Sequence, residues 1–442
     1  MKRRIISLLL CSVMLTVGLT GCGQGQKEVK RKDGKDEKVS LTFTHLFVEG
    51  ESWNDAITPA IERFNKDHAD SAEIIVEEMP QDAYLTQINA RGTADDLSEL
   101  VMVKGTMMKA FSDIGAIIEL TDVYKDIGLE QVLRPGLIQE GTNIDDDAIY
   151  SFPIALGTYG FILYNENIFK EAGISEFPAT LDEFNTACAK LRELGYIPMA
   201  LGDRDPWAAD SILFSAFVNN FVGNEWYQNI RKCNGKASFT DKEFVDALAA
   251  YQNIAKNHGF NDDFASISND ERLALYTNGK AAMISAGDWE CKNIDEMSPE
   301  ISSATKAAHW PGPASGSKAE ASIVQSAAWG IAMGSRITEE QIEAVKIFLK
   351  DYFYTEETGK IIVEENNEFT AWEVDYDESK LVAPAVEMNK RVKDGTACMN
   401  WDSTLDPTIK EIYQRGLQEL LMQSIDPKEL AQNMQDEYEL LQ

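Results

Sequence analysis

The feature that most constrains this chain is a single long apolar segment at its start, because everything after it has to fold in water. Three basic residues, Lys2, Arg3 and Arg4, precede an apolar run over residues 5–19. A run of about 15 residues is too short to span a bilayer comfortably. A basic start, a short apolar stretch and small residues before a cleavage point form the layout of a secretory signal peptide. The sequence therefore predicts a signal peptide over residues 1–21.

The end of this segment, Leu19-Thr20-Gly21-Cys22, resembles the lipobox of bacterial lipoproteins. The resemblance implies a lipid on the Cys22 thiol and cleavage just before it. In residues 23–38, Val29 is the one apolar side chain, so this stretch cannot bury a core and is expected to be a flexible tether. We expect a protein anchored through residues 22–38 on the extracellular face of the cytoplasmic membrane. The alternative is an ordinary signal peptide that carries a cysteine near its end.

The charge balance excludes one class of partner. Lys and Arg number 41 and Asp and Glu 73, a net charge of −32, and removal of residues 1–21 takes away three more basic groups, which leaves −35. A polyanion would be repelled at long range, so we expect no nucleic-acid partner. The chain beyond the tether exceeds what one core holds, and two lobes or domains are expected.

The cysteines and histidines form no pattern of a metal or nucleophile site. Four cysteines follow Cys22, at widely spaced positions and without a CxxC motif: Cys188, Cys233, Cys291 and Cys398. One disulfide among them is left open by the sequence. The four histidines lack ligand spacing such as HExxH. We therefore predict no metal, no cofactor and no catalytic histidine.

From Val39 onward, short apolar strands alternate with amphipathic helices, which is typical of an α/β fold with a mostly buried sheet. Strands are predicted at residues 41–47 and 100–103. Capping boxes, in which Thr is followed three residues later by Glu or Gln, predict helix starts at Thr180 and Thr338. Gly195 is a predicted helix stop in the left-handed conformation.

The order of several short motifs resembles a family of extracellular solute-binding proteins, the maltodextrin-binding-like family 1 of carbohydrate ABC importers. The motifs are residues 147–154 (DAIYSFPI), 160–165 (GFILYN), 168–173 (IFKEAG), 179–184 (ATLDEF), 276–283 (YTNGKAAM), 287–289 (GDW), 417–421 (LQELL) and 426–430 (DPKEL). They span almost all of the chain after residue 39. Two departures are Asp95-Asp96-Leu97 before the third strand and Leu181 in place of Trp.

The resemblance implies a two-lobed clamp of the type II periplasmic-binding-protein kind, with ligand in a cleft and three chain crossings at the hinge. Crossings are expected near residues 156–159, 307–310 and 366–370. Lobe 1 would comprise residues 39–156 and 309–366, and lobe 2 residues 157–308 and 367–442. Two independent domains joined once would leave the motifs unexplained.

A sugar offers an apolar C–H face and a ring of hydroxyls, which proteins bind with aromatic rings and with planar polar groups. By resemblance, Trp289 with Asp288, Trp207 with Asp205, and Trp401 with Asp402 are candidate ligand contacts. Further candidates follow the predicted strands and the first crossing: His45, Glu49, Lys104 and Tyr159. For each of them, packing in the core or exposure on the surface is the alternative.

These expectations describe a monomeric binding protein that captures a carbohydrate and delivers it to ABC permease subunits, with the lipid as its only link to the membrane. A secreted glycoside hydrolase is an alternative, but it would need two carboxylates about 5 to 10 Å apart, and the sequence singles out no such pair. A ligand sensor for a membrane kinase is another. An iron, polyamine or peptide ligand also stays open, because a fold alone does not fix its ligand.

Overall fold

A computed structural model of the 442-residue chain describes residues 38–49, 52–134, 137, 141–142, 148–154, 156–313, 321–327 and 329–441. The predictions for the signal peptide, for Cys22, for the tether up to residue 37 and for Asp147 in the motif at 147–154 lie outside these residues.

Short strands occur along the whole described chain: β1 Val39–His45, β2 Ala72–Glu78, β3 Leu100–Val103, β4 Phe152–Pro153, β5 Gly157–Tyr159, β6 Phe161–Asn165, β7 Ile197–Ala200, β8 Ala281–Ala286, β9 Thr305–Ala308, β10 Ser322–Ser326, β11 Gly330–Met333 and β12 Thr396–Cys398.

Helices alternate with these strands: α1 Ser52–Asp67, α2 Gln81–Thr93, α3 Gly105–Asp113, α4 Thr121–Ile127, α5 Glu166–Glu171, α6 Leu181–Glu193, α7 Ser215–Arg231, α8 Lys242–Lys256, α9 Asn269–Thr277, α10 Cys291–Met297, α11 Pro299–Ala304, α12 Glu339–Phe348, α13 Glu356–Lys360, α14 Ala383–Asp394, α15 Trp401–Thr404, α16 Pro407–Leu421 and α17 Pro427–Leu441. A π-helical segment, Ala208–Phe214, precedes α7, and a 3-10 turn, Asp288–Glu290, follows β8.

The helix boundaries follow the local chemistry that the sequence predicted. Thr180 and Thr338 each accept the N–H of the third residue of their helix, and the side chains of Glu183 and Gln341 return the bond, so both capping boxes are confirmed. Gly195 has φ +89°, the left-handed conformation expected after α6. The α/β class is likewise confirmed.

Lobe 1 is built on a sheet in which the described strands take the order β2-β1-β3-β11-β4. Strand β1 is parallel to β2 and to β3, with Phe43 opposite Val76 on one side and Leu100 on the other. Strand β11 enters antiparallel between β3 and β4. A strand late in the sequence thus completes a sheet begun by the first three, so lobe 1 is discontinuous in sequence.

Lobe 2 contains two smaller sheets among the described strands. One has the order β7-β8-β6-β9, and the other has the order β12-β10-β5. In the second sheet β5 and β10 run antiparallel, with Tyr159 opposite Val324. Both of these residues are buried in the same core as the helices of lobe 2, so this sheet belongs to lobe 2.

The residues buried in the core of each lobe show where the chain passes from one lobe to the other. The chain leaves the core of lobe 1 at Leu156 and enters that of lobe 2 by Tyr159. It returns between Val324 and Ala327, and it passes back between Trp372 and Ala385.

Two of these passages differ from the positions expected near residues 307–310 and 366–370. Trp310 is 1% exposed and packs between Phe184 and Phe217, so it is a core residue of lobe 2. Residues 309–313 and 321–326 therefore group with lobe 2. Ala371 and Trp372 are buried in lobe 1, so lobe 1 extends beyond residue 366. The large buried side chains decide this, because they contact one core only.

None of the described helices has both the length and the apolar character that a membrane span requires. Cys188, Cys233, Cys291 and Cys398 are not joined in disulfides within the described part of the chain, which answers the question that their spacing left open.

Candidate functional site

Two predicted ligand residues lie where strands of lobe 1 end. His45 is the last residue of β1, and Lys104 directly follows β3 as the residue before α3. These two strands are parallel neighbours, so their carboxyl ends lie at the same edge of the sheet. In open α/β sheets this edge is where ligands bind.

Lys104 joins the two lobes. Its Nζ lies 3.2 Å from Oδ2 of Asp402, which belongs to α15 of lobe 2. The same Nζ lies 5.2 Å from the ring centroid of Trp329, within the range of a cation–π contact. The side chains of Lys104 and Asp402 are 19% and 9% exposed. Charged groups of both lobes thus meet at a partly dry boundary between them.

Asp402 is held from several sides within lobe 2. Its Oδ1 accepts from Lys410 Nζ at 3.4 Å and from Gln414 Nε2 at 3.0 Å, and its backbone N–H is capped by Asn400. Burial by itself raises the pKa of Asp402, but the two lysines outweigh it and lower the pKa to about 2. The carboxylate is therefore charged at neutral pH.

Gln414 also connects Asp402 to a second buried acid. Its Nε2 lies 3.0 Å from Oδ2 of Asp210, in the π-helical segment. Burial and the nearby charge of Asp402 raise the pKa of Asp210 to about 7. The sequence reasoning missed Asp210, Lys410 and Gln414. A detectable signal was the spacing of Lys410, Gln414 and Gln418, which forms a polar stripe beside the buried face of α16.

Trp289 and Tyr159 form an aromatic pair beside the first passage between the lobes. Their ring centroids are 5.4 Å apart and the rings are inclined by 68°, an edge-to-face arrangement. Tyr159 is buried, whereas Trp289 is partly exposed. One part of the indole is therefore held by the protein while another part is exposed to solvent.

Asp288, predicted as a ligand residue, uses its carboxylate inside the protein. Oδ1 accepts the N–H of Thr158 at 3.0 Å, and Oδ2 accepts the N–H of Phe369 at 2.9 Å. The residue is 2% exposed. Burial raises its pKa above the usual range of an aspartate, against the opposite effect of the backbone N–H groups of Phe369 and Thr158 and of residues 288 and 289 themselves. The structure therefore differs from the prediction, because the carboxylate of Asp288 is buried and occupied by backbone N–H groups of this chain.

His45 and Glu49 lie in contrasting surroundings. His45 is fully buried, with its ring edge-to-face against Phe43 at 5.1 Å. Burial lowers its pKa to about 4 although the backbone of Phe47 acts in the opposite direction, so the imidazole is neutral at pH 7. Glu49 is exposed. Of these two predicted ligand residues, His45 is thus enclosed by the protein, whereas the side chain of Glu49 faces solvent.

Trp401 was predicted as a ligand contact, but the structure buries it in the core of lobe 2. It is 1% exposed and its face is covered by Tyr227, with centroids 4.5 Å apart and planes inclined by 8°. An aromatic stack within lobe 2 therefore occupies the surface that a sugar would need.

Asp205 and Trp207 are half-exposed and precede the π-helical segment. Among the described residues, no side-chain hydrogen bond or ring contact joins them to the other predicted ligand residues.

A separate cavity of about 400 Å³ lies along β9 of lobe 2. Its lining includes Tyr164, Phe177, Lys306, Glu387 and Arg391 and none of the predicted ligand residues. Within the described part of the chain, no group of three or more His, Cys, Asp or Glu side chains is arranged to hold a metal ion.

Comparisons with known proteins agree with this architecture. The model of the family described as bacterial extracellular solute-binding protein matches residues 59–364. An uncharacterized ABC transporter extracellular-binding protein of Pyrococcus horikoshii, PH1214, is 33% identical over 167 residues, which are 37% of this chain and 36% of that protein. This match spans about a third of the length of that relative.

A longer alignment joins the chain to the diacetylchitobiose binding protein DasA of Streptomyces coelicolor. It is 21% identical over 363 residues, which cover 80% of this chain and 79% of that protein. Among solved structures, a chitin oligosaccharide binding protein superposes with a TM-score of 0.80 at 22% identity, over 91% of this chain and 98% of the other. The fold is therefore that of the two-lobed solute-binding proteins, and with a family match over more than half its length, this chain belongs to the bacterial extracellular solute-binding proteins.

Proposed function

We propose that this protein is the lipid-anchored substrate-binding component of an ABC importer, and that it binds a neutral oligosaccharide between its lobes. Binding would favour the state in which both lobes contact the sugar, because a ligand shifts a conformational equilibrium only through unequal contacts with its states. The closed, loaded protein would then deliver the sugar to permease subunits.

One observation supports the proposal most directly. Side chains of types that bind sugars come from both lobes and lie at the boundary between them. Lys104 and Trp329 come from the lobe 1 side, Asp402 lies opposite, and Trp289 presents a partly open ring beside the first passage. Stacking on an indole and hydrogen bonds to charged planar groups are the contacts that a pyranose requires. The chitobiose-binding and chitin-oligosaccharide-binding relatives support a sugar as the ligand.

The pair of acids that most resembles hydrolase machinery is Asp210 and Asp402, whose pKa values are driven apart to about 7 and about 2. In glycosidases such a split separates the proton donor from the charged partner. Here, however, Asp210 is 0% exposed and Asp402 is engaged by Lys104 and Lys410. A sugar cannot reach both, which favours binding without turnover.

A thermal-shift screen tests the ligand class. The panel contains N,N′-diacetylchitobiose, chitin oligosaccharides, xylo-oligosaccharides, malto-oligosaccharides and oligogalacturonides. A sugar present at 100 times its Kd stabilises the fold by about 2.7 kcal/mol, so a true ligand raises the melting temperature in a concentration-dependent way. If no saccharide does so while an amino acid, polyamine or iron chelate does, the carbohydrate assignment fails. Chromatography after prolonged incubation detects any cleavage.

Trp289→Ala then tests the site. The loss of a stacking ring worth about 1 to 3 kcal/mol lowers affinity on the order of 10-fold to 100-fold. The control is Trp226→Ala, which removes a partly buried indole of lobe 2 that is stacked on Phe244 with centroids 5.4 Å apart. The control should lose stability and keep its affinity. Equal affinities of both variants would place Trp289 outside the site.

A further inference from the structure

We propose that Asp288 is a positioning residue of the hinge. Its carboxylate holds two chain segments between the lobes and thereby fixes the ring of Trp289 to them. We call Asp288 with its partners Thr158 and Phe369 the hinge clasp. The inference deepens the proposed function, on which it rests only for the closing motion itself.

The two hydrogen bonds of the Asp288 carboxylate reach segments that belong to two different passages between the lobes. Thr158 opens lobe 2 after the first passage, and its strand β5 is paired with β10, which precedes the second passage. The first two passages are thus joined by a strand pair. Phe369 lies on the segment that precedes the third passage and packs against cores of both lobes. The Asp288 carboxylate connects this third segment to the first. Hydrogen bonds to backbone groups therefore link the segments of all three passages.

A carboxylate has two acceptor oxygens, and Asp288 uses both of them. Oδ1 of Asp288 accepts the N–H of Thr158 and Oδ2 accepts the N–H of Phe369, two residues that lie 211 positions apart in the chain. A buried N–H group without an acceptor costs free energy. An aspartate serves both donors at once, whereas the amide of asparagine has one acceptor oxygen and one donor group.

The hinge clasp is directly adjacent to Trp289, the proposed stacking residue. Thr158 and Asp288 are joined by a hydrogen bond, and the residues that follow them, Tyr159 and Trp289, are in ring contact. The two contacts are therefore adjacent. The indole cannot shift relative to the first passage without disturbing one of the two contacts. A sugar stacked on Trp289 would therefore contact a ring that is fixed to the first passage.

The test measures amide hydrogen exchange in the full protein without added sugar, on fragments that resolve the N–H groups of Thr158 and Phe369. In Asp288→Ala, both amides should exchange about 10-fold to 100-fold faster. That range corresponds to about 1.4 to 2.8 kcal/mol at 1.4 kcal/mol per decade. In Asp288→Asn, only one of the two should accelerate, because one acceptor is left.

The matched control is Asp203→Asn. Asp203 is also a fully buried acid of lobe 2 that accepts a backbone N–H, from Ala209 at 3.2 Å, but it does not contact the hinge clasp. Its replacement should leave exchange at Thr158 and Phe369 unchanged.

Unchanged exchange at both amides in Asp288→Ala overturns the hinge clasp. A uniform acceleration across lobe 2 also overturns it, since Asp288 would then be a general stability residue. The second readout is calorimetric affinity for the saccharide that the thermal-shift panel identifies, which should fall about 10-fold in Asp288→Asn. Should no saccharide bind the wild-type protein, the proposed function fails, while the exchange result still decides the hinge clasp.

Discussion

Replacing Gly287 by Ala isolates the role of the Trp289 platform, because this glycine is required for space and not for backbone conformation. Gly287 has φ −93° and ψ 166°, a conformation that any residue adopts. A Cβ at this position would, however, lie 2.1 Å from Cζ3 and 2.2 Å from Cη2 of the Trp289 ring. Ordinary van der Waals contact begins at 3.4 Å. The indole must therefore move by more than 1 Å.

The size of the effect follows from the contacts that the ring would lose. A displaced indole gives up its edge-to-face contact with Tyr159, worth about 0.5 to 1.5 kcal/mol, and presents a misplaced face to the sugar. We expect saccharide affinity to fall about 3-fold to 30-fold, and in any case by no more than in Trp289→Ala. The Ala substitution also lowers the entropy of the unfolded chain, which favours folding by about 0.4 to 1 kcal/mol. The melting temperature should consequently change little.

Isothermal titration calorimetry and melting curves on the two single variants and on the double variant form a complete cycle. If Gly287 acts only through the ring, adding Gly287→Ala to Trp289→Ala leaves the affinity unchanged, and the double variant loses far less than the sum of the single losses. Wild-type affinity in Gly287→Ala would refute the reasoning. Additive losses in the cycle would refute it as well, because Gly287 would then contribute independently of the indole.

Three further predictions concern charged groups and the anchor. Lys104→Met should weaken the contact between the lobes by about 1.5 to 3 kcal/mol, as expected for a hydrogen bond to a charged group, and small-angle scattering without sugar should show a larger radius of gyration. Asp402→Asn should have the same effect, and a still larger radius in the double variant would contradict the pairing. Burial raises the pKa of Asp203 from 3.8 to about 8, so the folded state binds the extra proton, and this contribution to stability is complete below the unfolded pKa and lost as pH rises toward 8. Asp203→Asn should therefore gain stability relative to the wild type between pH 5 and pH 8, by at most about 1.4 kcal/mol per pH unit, and melting curves with equal pH slopes would argue against a shifted carboxyl. Cys22→Ser should release the protein from membranes into the medium, whereas continued retention in the membrane fraction would count against a lipid on Cys22.

Side chains at strand and helix boundaries were predictable because local chemistry decides them. The capping boxes at Thr180 and Thr338 and the helix stop at Gly195 need only the neighbouring residues in the chain. The strand over residues 100–103 was also predicted at its observed bounds, since a short apolar run between breakers has few alternatives.

Roles within the candidate site were less predictable. Asp288 and Trp401 carry the residue types of a sugar site, yet the carboxylate of the first accepts the N–H groups of Thr158 and Phe369 and the ring of the second lies in an aromatic stack. An acid or an indole has the same local signature in either role. What separates the roles is the set of partner groups, Thr158 and Phe369 for Asp288 and Tyr227 for Trp401, and these come from segments more than 80 residues away.

The α/β class was predictable because the periodicity of apolar residues and turn chemistry are local and repeat along the chain. Chain length predicted two lobes, and the family was predictable from the order of its short motifs. The passages between the lobes, the contact of Lys104 with Asp402, and the two bonds of one carboxylate to Thr158 and Phe369 became evident in the folded structure alone. The physical reason is that the free energy of a buried polar group depends on partners brought together by folding. Those partners have no fixed spacing in the sequence.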